Sequence, residues 1–69
     1  MSNKVDFRFR SSDDAWKAKE EINKISHGFP ASGGYTNSIT LDLEELSKDS
    51  SETARNVQVI IDRYGGESY

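Results

Sequence analysis

His27 is the only histidine of the chain, so a hydroxyl nucleophile, imidazole base and carboxylate could be assembled only around it. It stands beside Gly28, at what reads as the end of a helix. An imidazole there sits favourably against the negative end of the helix dipole, and that surface role is preferred over a catalytic base. Metal chemistry has even less to work with. There is no cysteine, and no Asp-x-Asp-x-Asp-Gly loop, so only scattered carboxylates remain as ligands. Ser32-Gly33-Gly34 has the glycines that let a backbone approach a phosphate closely. It lacks the Gly-Lys-Ser/Thr of a P-loop and runs toward a strand instead of a helix N-terminus, which makes these ordinary turn glycines. No catalytic residue, metal or cofactor is expected, and the chain reads as a non-enzyme.

One further run has the composition of a nucleic-acid site. Phe7-Arg8-Phe9-Arg10 interleaves aromatic and basic residues, as sheets that stack bases do. In a strand, however, the two phenylalanines share one face and the two arginines the other. Stacking and charge are thereby separated. Asp42 and Glu44, on a second strand, would project beside Arg8 and Arg10 and neutralise them. The net charge of −3 also works against a grip on phosphates. Nucleic-acid binding through Arg8, Arg10, Lys4 and the loop aromatics is retained as the alternative function.

These residues have to be positioned by a short chain. Its 69 residues suffice for a single domain with a modest core, and without cysteine no disulfide can reinforce it. Self-association is a natural remedy, and a reducing cytoplasm the natural setting. Met1 to Asp6 contain no apolar run of the kind that opens a signal peptide, and no stretch approaches the roughly 18 apolar residues of a membrane span.

Val5 to Arg10 alternate strictly, with Val5, Phe7 and Phe9 on one face, which predicts a half-buried strand. Ser11-Ser12-Asp13-Asp14 then offers a cap and two carboxylates to a first helical turn. Ala15, Ala18, Ile22, Ile25 and Phe29 recur at three- and four-residue steps as an apolar stripe, which Gly28 and Pro30 bring to an end. Residues 28–37 collect turn formers and read as a long loop. Ile39 to Glu44 alternate again as a second strand, beyond which Leu46 closes the core.

The final segment is ambiguous, because Val57-Gln58-Val59-Ile60-Ile61 is rich in β-branched residues. Ala54, Val57, Ile60, Ile61 and Tyr64 nevertheless fit one helical stripe. Asp49 with Glu52 resembles a capping box, and Gly65 fits a helix stop, so residues 50–64 are assigned to a helix. Residues 65–69 read as a frayed tail. The expected fold is a two-layer α+β domain, β-α-β-α with both helices on one face of a small sheet; β-α-β-β is the alternative. Its expected core is Val5, Phe7, Phe9, Ala18, Ile22, Ile25, Ile39, Leu41, Leu43, Val57 and Ile61. Two strands alone are marginal, so pairing between two copies or with a partner protein is expected to complete the sheet.

Trp16 is what this scheme leaves over. At 100° per residue from Ala15, the buried stripe of the first helix centres near about −40°, whereas Trp16 falls near about 100°, with Glu20, Asn23 and His27 close by. Two readings compete: an anchor for another protein, or a ring folded over a sheet edge or against the long loop beneath Phe29 or Tyr35. The candidate partner-binding set is Trp16, Glu20, Asn23, His27, Phe29 and Tyr35. Asp42, Glu44, Glu45, Asp49 and Glu52 form an acidic band, read as a solvated face with a secondary steering role. The expected function is a non-enzymatic protein-interaction module, a small regulator, adaptor or inhibitor of another protein, dimeric or bound to its target.

Overall fold

The computed structural model describes residues 3–68, which form an antiparallel four-stranded sheet with helices over one face. In chain order the elements are β1 (Lys4–Arg8), α1 (Ser12–Ile25), β2 (Ala31–Gly33), β3 (Ser38–Asp42), α2 (Leu43–Leu46), α3 (Ser51–Arg63) and β4 (Glu67–Ser68). The strands lie in the order β2-β3-β1-β4. The α+β class and the helical final segment are as expected, and the β-α-β-β alternative falls.

Two strands lie where no strand was expected. Within the presumed loop, Ala31–Gly33 pairs with Ile39–Leu41 across a turn. Gly33 and Gly34 open that turn with φ of +94° and +84°, a region that strains any residue with a side chain. The presumed tail supplies β4, with Ser68 opposite Phe7 and Glu67 opposite Arg8. Tyr69 lies outside the described residues. The sheet therefore has four strands from its own chain, and the expectation of a dimer loses its argument from missing strands.

Cross-strand register sorts the side chains. Val5 and Phe7 stand opposite Leu41 and Ile39 on the face beneath the helices. Lys4, Asp6 and Arg8 stand opposite Asp42, Thr40 and Ser38 on the open face. Asp42 thus faces Lys4 instead of an arginine, and the carboxylate aligned with Arg8 is Glu67 of β4. Asp42 is also engaged elsewhere, because its side chain accepts from the amides of Glu44 at 3.1 Å and Glu45 at 3.2 Å and so starts α2. That early turn moves Leu43 out of the expected core, to 39% exposure, and carries Leu46 into it.

The core consists of Phe9, Ala15, Ala18, Ile22, Ala31, Ile39, Leu41, Leu46, Val57, Ile60 and Ile61. Val5 and Phe7 are only half-buried, and Ile25, at the last residue of α1, is 40% exposed. Phe9 lies past the end of β1, where its amide still donates to Asn37 at 2.6 Å. α3 is capped by Ser50, whose hydroxyl accepts from the Thr53 amide at 3.2 Å, so Asp49 is not the cap. At its other end the Gly66 amide donates to Ile61 at 2.8 Å and the Gly65 amide to Asp62 at 3.1 Å, with Gly65 at φ +77°. This pair of reversed bonds is the Schellman stop. Among the described residues, no helix is long and apolar enough to cross a membrane.

Candidate functional site

The site is built on the outer side of α1. Ser11 caps this helix by accepting from the Asp14 amide at 3.2 Å, and Asp13 and Asp14 occupy its positive first turn. Ala15, Ala18 and Ile22 are fully buried against the sheet. With the inner stripe filled by these three, Trp16 comes to the flank, where it is 39% exposed.

Trp16 is neither free nor buried. A Cβ on Gly34 would come within 3.3 Å of both its Cα and its ring, so the β2–β3 turn lies directly against the helix at this point. Tyr35, the next residue of that turn, places its ring 5.7 Å from the Trp16 ring at a tilt of 57°. Pairs at this spacing attract beyond the area they bury. The reading of Trp16 as a ring packed against the loop therefore holds through Tyr35, while the side chain remains 39% exposed. Tyr35 itself is 82% exposed.

The sequence reading did not single out Lys19. One turn along from Trp16, it carries its ammonium 3.5 Å from the centroid of the indole and 5.9 Å from that of Tyr35. A cation over the negative face of an aromatic ring is held by the ring quadrupole. The spacing Trp-x-x-Lys on a helix was the available signal, but it reveals nothing unless the ring is known to lie on the surface.

Glu20, Asn23 and Phe29 are brought together with Lys24 around a shallow groove of about 370 Å³. Phe29 is 74% exposed and adopts φ +49°, a left-handed conformation that costs a bulky residue energy. Asn23 has structural work as well, since its side chain donates to the Ala31 carbonyl at 2.9 Å and accepts from the Ala31 amide at 3.0 Å. His27 is turned elsewhere. Its Nδ1 lies 2.7 Å from Asp49 Oδ1, and its backbone amide donates to both oxygens of the same carboxylate at 3.2 Å. The His27 ring and this amide hold the Asp49 carboxyl below its usual range, against an opposing push from burial.

Several of the other charged groups are engaged within the fold. Of the acidic band, Asp42 caps α2, Glu45 pairs with Lys48 at 3.1 Å and Asp49 holds His27. Glu21 joins α1 to α3 by accepting from Arg63 at 3.1 Å and from the Tyr64 hydroxyl. That bond to Glu21, together with burial, raises the Tyr64 pKa and keeps the phenol protonated. A cleft of about 320 Å³ beside it is lined by Arg10, Asp14, Asp62, Arg63, Tyr64 and Gly65, two cations against two carboxylates. Among the described residues, no group of three or more His, Cys, Asp or Glu is placed to hold a metal ion.

Compared with protein-family models, with curated proteins and with solved structures, the chain matches none.

Proposed function

We propose that this chain is a protein-interaction module that binds its partner through the outer side of α1 and the adjoining loops, acting as a small regulator, adaptor or inhibitor. The observation that carries this reading is the grouping of three surface aromatics along one helix. Trp16 and Tyr35 flank its first half, and Phe29 stands over the groove at its second. Aromatic rings with one open side supply much contact area for little loss of conformational freedom, which is why tryptophan and tyrosine dominate interface energetics. A left-handed Phe29 is consistent with this, because backbone strain accumulates where a side chain serves binding.

Nucleic acid finds less support. On the open sheet face Lys4 and Arg8 are outnumbered by Asp6, Asp42 and Glu67, which gives these strand residues a charge of −1. The partner is taken to be another protein or a second copy, and the cysteine-free chain suits the cytoplasm.

The test is capture from a native extract with the intact chain beside a Trp16→Ala/Tyr35→Ala variant, with light scattering on the same samples. A stoichiometric partner, or a dimer, that is lost with the two rings supports the reading. Identical captures and identical masses for both proteins would rule it out.

A further inference from the structure

Taking the interaction reading as its basis, the chemistry of the partner can be narrowed from the state of Lys19. This side chain is half-buried and its ammonium rests on the Trp16 ring. No carboxylate lies within ion-pair distance of it among the described residues. Lys48 and Arg63, by contrast, each have a glutamate at 3.1 Å. Among the described residues Lys4, Lys17 and Lys24 also have no such partner, but they are exposed. Lys19 alone among these lysines is held in place by aromatic rings.

An ammonium has three donors, and a ring face engages the charge without supplying the oxygen lone pairs those donors seek. Holding the stem against Trp16 also reduces the rotamer freedom that a flexible lysine would lose on binding. The surrounding charges sharpen the point. Asp13 and Glu20 stand four residues before Lys17 and Lys24 on α1, a spacing at which opposite charges attract, while Glu21 is occupied by Arg63 and Tyr64. Lys19, in contrast, has no carboxylate three or four residues to either side, where Ala15, Trp16, Ile22 and Asn23 stand.

We propose that Trp16, Lys19 and Tyr35 together receive a carboxylate from an acidic segment of the partner protein. The carboxylate meets the ammonium, and the chain that carries it lies along the open sides of the two rings. A charge-assisted hydrogen bond of this kind is about twice as strong as a neutral one, and the rings beside it exclude water. A phosphate backbone fits less well, because its grip grows with the number of cations it meets and the chain carries −3 overall.

Trp16 is the only tryptophan, so its emission reports on this site directly. The probes are a short synthetic peptide of Asp, Glu and Leu, its Asn/Gln counterpart, and a short oligothymidylate, titrated into the intact chain at low and high salt. The acidic peptide is expected to shift the emission and to bind about tenfold more tightly than the amide peptide, with added salt weakening it. Lys19→Met keeps a stem over the indole and should remove that preference, while Lys19→Arg should retain it; circular dichroism confirms that both are folded. Equal binding of the two peptides would overturn the proposal and leave the interaction reading standing. The same holds if neither peptide binds while a native partner is still captured through Trp16. Tighter binding of the oligothymidylate would overturn both.

Discussion

Asn23 closes the outer edge of the sheet on Ala31, donating to its carbonyl at 2.9 Å and accepting from its amide at 3.0 Å. Pro30 and Gly34 bond across to Asp42 and Ser38, so the peptide groups of Ala31 between them point away from β3. These are the groups that an edge strand would offer to another chain. One side chain of α1 thus both fixes the helix to the sheet and protects the sheet from unwanted pairing.

Replacing Asn23 by alanine should cost about 1–2 kcal/mol, the net worth of two hydrogen bonds on a surface that water can still reach. The check is a denaturant midpoint that falls with an unchanged slope, together with light scattering for new association through the uncovered edge. An unchanged midpoint would show that the two bonds merely replace bonds to water.

The turn at the end of α3 offers a paired test. A Cβ on Gly66 would lie 2.6 Å from Phe9 Cε2 and 2.8 Å from Ile61 Cγ2, both inside the core. Gly66→Ala should therefore cost about 1–3 kcal/mol by overpacking. Gly65 has open space around it and only its φ of +77° to defend. Gly65→Ala should cost less, and Gly65→Asn less again, since asparagine tolerates the left-handed region. A reversed order of melting temperatures would contradict the placement of β4.

Acid should act through Asp49. Its folded pKa lies below the ordinary carboxylate value, so in the interval between the two the unfolded chain binds more protons and stability rises with pH. The contribution is complete above the unfolded pKa of about 4 and is lost as the pH falls through the depressed folded value. Asp49→Asn should consequently be the less stable protein at pH 6, with the difference from the parent shrinking at pH 2.5. Denaturant titrations at those two pH values measure it. A difference that stays constant would mean that Asp49 acts through shape alone.

Much of this was legible in the sequence where a pattern runs for several residues. The alternation Val5-Phe7 and Ile39-Leu41 and the stripe Ala15-Ala18-Ile22 each state a face directly, and the Gly65 stop marks the end of the helix over Val57–Ile61 despite its β-branched residues, although its cap is Ser50 and not Asp49. β2 and β4 escaped because three and two residues are too few to show a period, and the glycines that shape their turns also signal loops. Leu43 was misplaced by a competing local bond, the Asp42 cap, which ends the alternation two residues early. Trp16 was found because it broke the stripe. Lys19 was not, because lysines on a helix surface are ordinary until a ring lies beneath one.

The prediction that bears most on function concerns what Trp16 contributes to the fold itself. A fully buried tryptophan replaced by alanine loses about 3–5 kcal/mol, and an isolated surface ring loses almost nothing. Trp16 stands between, covered on the side of Gly34 and Tyr35 and open on the other. Trp16→Ala should therefore lower stability by about 1–2 kcal/mol, or roughly 4–16 °C in melting temperature for a domain of this size. Gly34→Ala probes the same contact from the opposite side, where the new Cβ meets the Trp16 Cα at 3.3 Å on a backbone at φ +84°. It should cost at least as much, because neither the helix backbone nor the turn can yield cheaply. If the turn and the ring support each other, the double variant should lose less than the two single losses added together. Strict additivity would mean that Trp16 gains nothing from the turn.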